Sequence, residues 1–423
     1  MSDQVTVAPR STPADTATER DSSQWDTRLQ FYAIGVVAAI AIALGIATIG
    51  AADAPAPADR IGGDYPAFYG AGQIASEGDW GSLYEMDRQV EAQAGLHPAE
   101  EGDVAWFYAY PPQVAFAYQP LAALDYHWSF LIHTVVMATL LFASVLLARP
   151  MIPWLQGRTV LVFALALLFW PMFRAVTGGS NAALTVFLIV AVWHLIHGNA
   201  PLAAGLVLAG LLYKPQFALP LIGLFLLAGY WRVVAGGAIG ATVFYVTGAA
   251  LQGWAWGAEW LDSASRFGRI DAEVNGHSSI SFIGVAENLY GVGASPAVVA
   301  AWALAGATAA FLSWLWWRNG RRDLAGLLAI TVPAILLMSP HAMSQDGAVV
   351  VITVAIVMGF SASRRWTAWF LTIWALGASQ MFIQQLGFSP GFGMLLIVVA
   401  GAWVFVHQSE RRRAPAGEVP RPV

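Results

Sequence analysis

Phe31-Tyr32-Ala33-Ile34-Gly35-Val36-Val37-Ala38-Ala39-Ile40-Ala41-Ile42-Ala43-Leu44-Gly45-Ile46-Ala47-Thr48-Ile49-Gly50 carries no charge and is long and apolar enough to cross a bilayer core as a helix. Reading it as a membrane span decides the fold class of the chain. Just past it comes Gly62-Gly63-Asp64-Tyr65-Pro66-Ala67-Phe68-Tyr69, an aromatic run with one carboxylate, about fourteen residues beyond the span counted along the chain. A carboxylate there can meet a substrate carried in the membrane. The same Asp64, two residues before a proline, also fits the cap of a helix starting at Tyr65.

The rest of the composition agrees with a bilayer protein. Of 423 residues, 57% are hydrophobic and 11% charged, against the roughly 25% charge of a soluble domain. There is no cysteine and there are eight histidines, which excludes disulfides and thiolate metal sites and disfavours a multi-metal centre. Met1 to about Thr27 is rich in Ser, Thr, Asp and Ala and reads as a disordered cytoplasmic leader (1–27), since a cleaved signal needs an earlier apolar core.

Further apolar stretches recur at 129–148, 159–176, 182–197, 200–212, 217–230, 233–251, 296–317, 324–338, 347–361, 366–385 and 392–408. With the first, they predict an all-α polytopic membrane protein of about 12 spans, within a range of about 10 to 13. Several between 159 and 230 are shorter than the roughly 20 residues of a perpendicular span, so tilted, broken or re-entrant helices are expected there. Basic residues collect in alternate connections: Arg28, Arg149 with Arg158, Arg232, Arg318 with Arg321 and Arg322, Arg364 with Arg365, and Arg411 to Arg413. These predict the cytoplasmic side, with both termini inside and a short tail at 409–423. The connections 51–128, 177–181, 213–216, 252–295, 339–346 and 386–391 then face outward, and the polar motifs all lie in them.

The first outer loop (51–128) is acidic, and its second half, Trp106-Phe107-Tyr108-Ala109-Tyr110-Pro111-Pro112 with Phe116 and Tyr118, suits either an aromatic belt at the interface or direct substrate contact. Arg174 stands beside Gly178-Gly179-Ser180-Asn181; an arginine there either snorkels outward or has an anionic partner. A lone Lys214 between two apolar segments on the outer side runs against the positive-inside bias and favours an anionic ligand. The second outer loop (252–295) mixes Glu259, Asp262, Arg266, Arg269, Asp271, Glu273, His277 and Asn288, as a polar-headgroup site or any exposed loop would. The stretch Ser339-Pro340-His341-Ala342-Met343-Ser344-Gln345-Asp346 closes the set.

Taken in order, Asp64-Tyr65-x-x-Phe68-Tyr69, Gly78, Leu83-Tyr84, Tyr110-Pro111-Pro112, Pro120-Leu121-Ala122, Gly178 to Asn181 as Gly-x-x-Asn, Ala204-Gly205, Lys214-Pro215, Ser339-Pro340-His341 and Asp346 resemble glycosyltransferase family 87. This family includes polyprenyl-phosphate-mannose-dependent mannosyltransferases and related arabinofuranosyltransferases of bacterial envelopes. The resemblance implies a GT-C multi-helix bundle over residues 28–408 and an inverting transfer of a sugar, mannose foremost, from a polyprenyl-phosphate donor to a lipid or glycan acceptor at the outer face of the inner membrane. It implies Asp64 as the catalytic base. Lys214, Arg266, Arg269 and His341 are then candidates for the donor phosphate, and Tyr65, Tyr69, Asn181, His277 and Asp346 for substrate contact. Neither a metal nor a further cofactor is implied, and the expected partners are the lipid-linked donor, the acceptor and membrane lipids, not nucleic acid. The family often has Gln after the first Gly of Gly-x-x-Asn, where this chain has Gly179. The competing classes are a secondary transporter, which should show midplane charges and related halves, and a non-catalytic flippase or envelope-assembly subunit.

Overall fold

The computed structural model describes residues 13–97, 106–361 and 363–413, with side chains from Asp26 to Gln408 within those ranges. Among the described residues it is built of helices alone, apart from one isolated antiparallel bridge between Ser279 and Met343. In order these are α1 (Pro13–Ala51), α2 (Tyr65–Ser76), α3 (Met86–Ala92), α4 (Pro112–Ala122), α5 (Tyr126–Ala148), α6 (Thr159–Leu168), α7 (Trp170–Thr177), α8 (Ala182–His197), α9 (Pro201–Ala209), α10 (Pro215–Leu227), α11 (Trp231–Gln252), α12 (Trp256–Asn275), α13 (Phe282–Tyr290), α14 (Pro296–Asn319), α15 (Leu324–Met338), α16 (Val350–Phe360), α17 (Arg364–Ile383) and α18 (Pro390–Arg413). Every apolar stretch read from the sequence falls largely on these helices, with 159–176 split over α6 and α7 and with 200–212 and 347–361 partly in 3₁₀ turns. By length and composition five are able to cross a membrane, namely residues 26–51 of α1, α5, α11, α14 and residues 390–408 of α18, with the bent α6–α7 pair as a sixth. Shorter apolar helices fill the rest, so the protein is a polytopic membrane protein with fewer full-length spans than apolar stretches.

α1 begins at Pro13, a residue suited to a first helical turn, so the helix extends back through the second half of the leader read as disordered. Residues 1–12 and 414–423 lie outside the described residues, as do Glu100, Glu101 and Asp103 of the acidic loop.

The break between α6 and α7 is an 81° bend. Pro171 has no amide hydrogen to continue the ladder, and Phe169 adopts extended angles (φ −62°, ψ 117°) ahead of it, as a proline close downstream favours. The short α7 therefore turns away from α6 and delivers the Gly178-Gly179 loop beneath Asp64. α7 also packs on the 3₁₀ turn Ser344–Val349 that carries Asp346.

The aromatic half of the first loop is neither a belt nor an open surface. Tyr108 is fully buried, its backbone N–H donates to Gln89 Oε1 at 2.8 Å, and its hydroxyl donates to the Pro111 carbonyl at 2.8 Å. Phe68 stacks on Tyr118 at 5.0 Å and meets Tyr110 at 4.9 Å. These rings form the core of a cap made by α2, α3 and α4, because aromatic burial of 150–250 Å² per ring is the largest apolar resource such a short segment has.

The connections sort to two ends. At one, Asp26 pairs with Arg158, Gln30 bonds the Gly157 carbonyl, and Arg321 bonds the Gly229 carbonyl. At the other, the Asp64 amide meets Gly178, the Ile280 amide meets Ala342 at 3.0 Å, and Asn288 bonds the Gly387 carbonyl at 3.1 Å. The arginine-rich connections and the candidate site are thus at opposite ends of the bundle.

Candidate functional site

Two glycine pairs lock together to hold Asp64. Gly62 and Gly63 both have positive φ (123° and 46°), as does Gly179 (76°). The Asp64 N–H donates to the Gly178 carbonyl at 2.7 Å, and the Gly178 N–H donates to the Arg174 carbonyl at 2.8 Å. A Cβ on Gly63 would lie 2.8 Å from Gly178 O, and one on Gly179 would lie 2.5 Å from the Tyr65 Cβ and 2.8 Å from Gly62 O. Only glycine permits this approach. The Gln common in the family after the first glycine has no room at 179 in this chain.

Asp64 stands at the cap position of α2 with φ −77° and ψ −9°, but its side chain makes no capping hydrogen bond. The carboxylate instead faces Gln345, whose Nε2 is 3.4 Å from Oδ2. Burial pushes the Asp64 pKa up to about 6, the charge of Asp346 adds to this, Lys214 and Arg174 oppose it, and Asp271 adds a smaller amount. The capping role is therefore vacant, and the group is a carboxyl held close to neutral pH in its titration.

The other candidates divide sharply by partner. Lys214 is buried with its Nζ 2.7 Å from Asp346 Oδ1, and Asp346 Oδ2 accepts the Met343 N–H at 3.0 Å. The sequence reading gave Lys214 to an anionic ligand; here its partner is a carboxylate of the protein. His341 Nε2 lies 3.4 Å from Asp271 Oδ2, with Phe267 edge-on to the imidazole at 5.3 Å. Asp64, the Lys214–Asp346 pair and the Asp271 of the His341 pair thus share one charge cluster. Arg266 pairs with Asp262 at 3.2 Å on the exposed face of α12, and Arg269 is exposed on the same helix. Neither is among the charges that act on Asp64, and nor is His277, half-buried on the turn Gly276–Ser278.

Of the residues expected to touch substrate, Tyr65 is fully buried, its hydroxyl 2.6 Å from Ser129 Oγ and its ring among Tyr118, Tyr126, Phe130 and His133. Tyr69 is buried and donates to the Leu124 carbonyl at 2.9 Å. Both are packing residues of the cap. Asn181 is buried too: its Oδ1 accepts from Tyr118 and its carbonyl accepts from Tyr213, each at 2.8 Å, so it fixes the tyrosine next to Lys214. Gln345 and Arg174 act on Asp64 but were not among the site residues read from the sequence. Gln345 lies in the quoted 339–346 stretch, yet nothing local ties it to a residue 281 positions away. Among the described residues no three His, Asp or Glu side chains are arranged to hold a metal ion.

A membrane protein, all-helical among the described residues, with a glycine-locked carboxyl of raised pKa at one end of its bundle is the class that this fold and site define. The chain matches the sequence model of glycosyltransferase family 87 over residues 108–340, more than half its length, and belongs to that family. It is a membrane glycosyltransferase. Lys214 and Arg174 fall inside the matched span, while Asp64, His341 and Asp346 fall outside it. No curated protein and no solved structure matches the chain.

Proposed function

We propose that this protein is an inverting glycosyltransferase that moves a sugar, mannose foremost, from a polyprenyl-phosphate donor to a lipid or glycan acceptor at the outer face of a bacterial inner membrane. The observation that carries this reading is Asp64, a carboxyl at the end of the bundle opposite the arginine-rich connections, with its pKa raised to about 6 by burial. A base works best when its pKa lies near the operating pH, and positive-inside bias puts the arginine-rich end in the cytoplasm.

In this mechanism Asp64 takes the proton of the acceptor hydroxyl as its oxygen attacks the anomeric carbon. The bond from that carbon to the phosphate oxygen breaks, its electron pair leaves on the phosphate, and the anomeric configuration inverts in the single displacement. Gln345 orients the carboxylate, and the glycine lock keeps it from drifting, which matters because a small misplacement of a reacting group costs rate steeply. Lys214 and Asp346, paired and buried, set the local field. Tyr108, Tyr110 and Tyr118 build the wall that keeps the cap in place.

The test is transfer of radiolabelled mannose from polyprenyl-phosphate-mannose to extracted membrane lipids or glycans by the purified protein and by Asp64→Asn. Transfer by the native protein, lost in a folded Asp64→Asn variant, supports the reading. Transfer undiminished by the substitution removes Asp64 as the base. Failure of the native protein with both mannosyl and arabinosyl polyprenyl phosphates overturns the donor class.

A further inference from the structure

We infer that Arg174 is the residue that binds the phosphate of the lipid-borne donor, an assignment that rests on the glycosyltransferase reading above. Pairing and position together single it out. Three of the other candidate cations already have a carboxylate: Lys214 has Asp346 at 2.7 Å, His341 has Asp271 at 3.4 Å, and Arg266 has Asp262 at 3.2 Å. Arg269, exposed on α12, has none, but it is not among the charges named as acting on Asp64. Arg174 is exposed, and among the described residues its guanidinium enters no ion pair and no side-chain hydrogen bond. Its charge nevertheless reaches Asp64, whose pKa it lowers.

Position and chemistry point the same way. Arg174 occupies the last turn of α7, the arm that the 81° bend carries across from α6. Its carbonyl holds Gly178, and the Gly178 carbonyl holds Asp64, so the base and the guanidinium are set by one short piece of backbone. With Lys214 and Asp346 offsetting each other, the cluster keeps the Asp64 carboxyl and the Arg174 guanidinium outside any ion pair. A hydroxyl acceptor and an anionic leaving group need that combination. A guanidinium grips a phosphate through two parallel hydrogen bonds and stabilises the charge that develops on its oxygen as the sugar departs.

The experiment is binding of polyprenyl monophosphate, the sugar-free product, to the full-length protein in phosphatidylcholine nanodiscs. It compares the native protein with Arg174→Gln, Arg174→Lys and Arg60→Gln, the last removing an exposed charge from the first loop. Arg174→Gln should weaken binding about ten- to a hundredfold, the effect of losing a charge-assisted hydrogen bond. Arg174→Lys should recover part of it, and Arg60→Gln should stay within about twofold of native. Binding of the uncharged polyprenol should not change in any variant, and a merely structural role for Arg174 would move it. Native-like polyprenyl monophosphate binding in Arg174→Gln overturns the assignment and leaves the glycosyltransferase reading standing. Equal competition by phosphatidic acid in the native protein assigns Arg174 to bulk headgroups and overturns it as well. Absence of polyprenyl monophosphate binding in the native protein overturns the donor class, and this inference with it.

Discussion

Lys214 Nζ and Asp346 Oδ1 meet at 2.7 Å with their side chains only 7% and 11% exposed, across 132 residues of sequence. Such a pair contributes little net stability over an apolar substitute, but removing one partner strands a buried charge at a cost of about 3–5 kcal/mol. Lys214→Met and Asp346→Leu should each lower the thermal midpoint in detergent, followed by tryptophan fluorescence, and the double variant should unfold later than either single one. Additive losses in that cycle would show that the two charges do not depend on each other.

The raised pKa of Asp64 makes two pH statements. As the proposed base it must be ionised, so kcat/KM should climb with pH through about 6 and level off above it. For stability the sign is opposite to that of a salt-bridged carboxylate. The native carboxyl holds its proton to about 6, whereas the unfolded one loses it near its ordinary 3.8, so native stability falls as pH rises between those values. Asp64→Asn should therefore be more stable than native at pH 7 to 8, by on the order of 1–2 kcal/mol after allowing for partial solvent screening. At pH 4 the two should unfold alike. A destabilised Asp64→Asn at pH 7 to 8 would mean that the carboxylate holds the structure together instead.

Gln345 is the only described side chain bonded to the Asp64 carboxylate, and it offers a way to shift the titration of the proposed base without removing it. Gln345→Glu puts a second negative charge beside Asp64, and like charges disfavour ionisation. The acidic limb of the rate profile should shift upward by about one pH unit while the plateau at high pH keeps most of its height. An unmoved limb with a collapsed plateau would show that Gln345 contacts substrate and leaves the base alone.

Much of this architecture is legible in the sequence, for reasons that also mark where legibility stops. The apolar stretches all became helices because hydrophobic length is a local property, and the shortness of 159–176 already signalled the break that Pro171 makes. Asp64 was readable from its place after the first span. What it bonds to was not, since Gln345 and Gly178 reach it only through the fold. Lys214 looked like a ligand-binding cation because its partner Asp346 lies far along the chain. The aromatic residues are less legible: Tyr65, Tyr69 and Tyr108 pack inward, and a ring run interrupted by prolines has the same local pattern whether it lines a core, a belt or a sugar site. α12, α13, α3 and α4 were hidden inside segments read as loops, α12 and α3 because they mix many polar residues with apolar ones and α13 and α4 because they are far shorter than a membrane span.

Gly179 and Gly78 make a matched pair for testing the lock around Asp64. Both have nearly the same left-handed backbone, φ 76° and 75°, so replacing either with alanine costs about 1 kcal/mol of conformational strain. Their surroundings differ. A Cβ at 78 meets nothing within 4 Å, whereas one at 179 lies 2.5 Å from the Tyr65 Cβ, 2.8 Å from Gly62 O and 3.0 Å from the Tyr65 Cα. These are backbone and near-backbone atoms of the turn that presents Asp64, so the collision can be relieved only by moving the turn, at about 1–3 kcal/mol more. Gly78→Ala should keep native transfer activity with a small drop in thermal midpoint. Gly179→Ala should lower the midpoint further and cut kcat at least about tenfold, because the Asp64 N–H would be drawn away from the Gly178 carbonyl. Restoring the family's more common residue with Gly179→Gln should be no better, since the clash begins at Cβ. If Gly179→Ala proves as mild as Gly78→Ala, the close approach of the two glycine loops is not what places the base, and the positioning of Asp64 must come from Gln345 and burial alone.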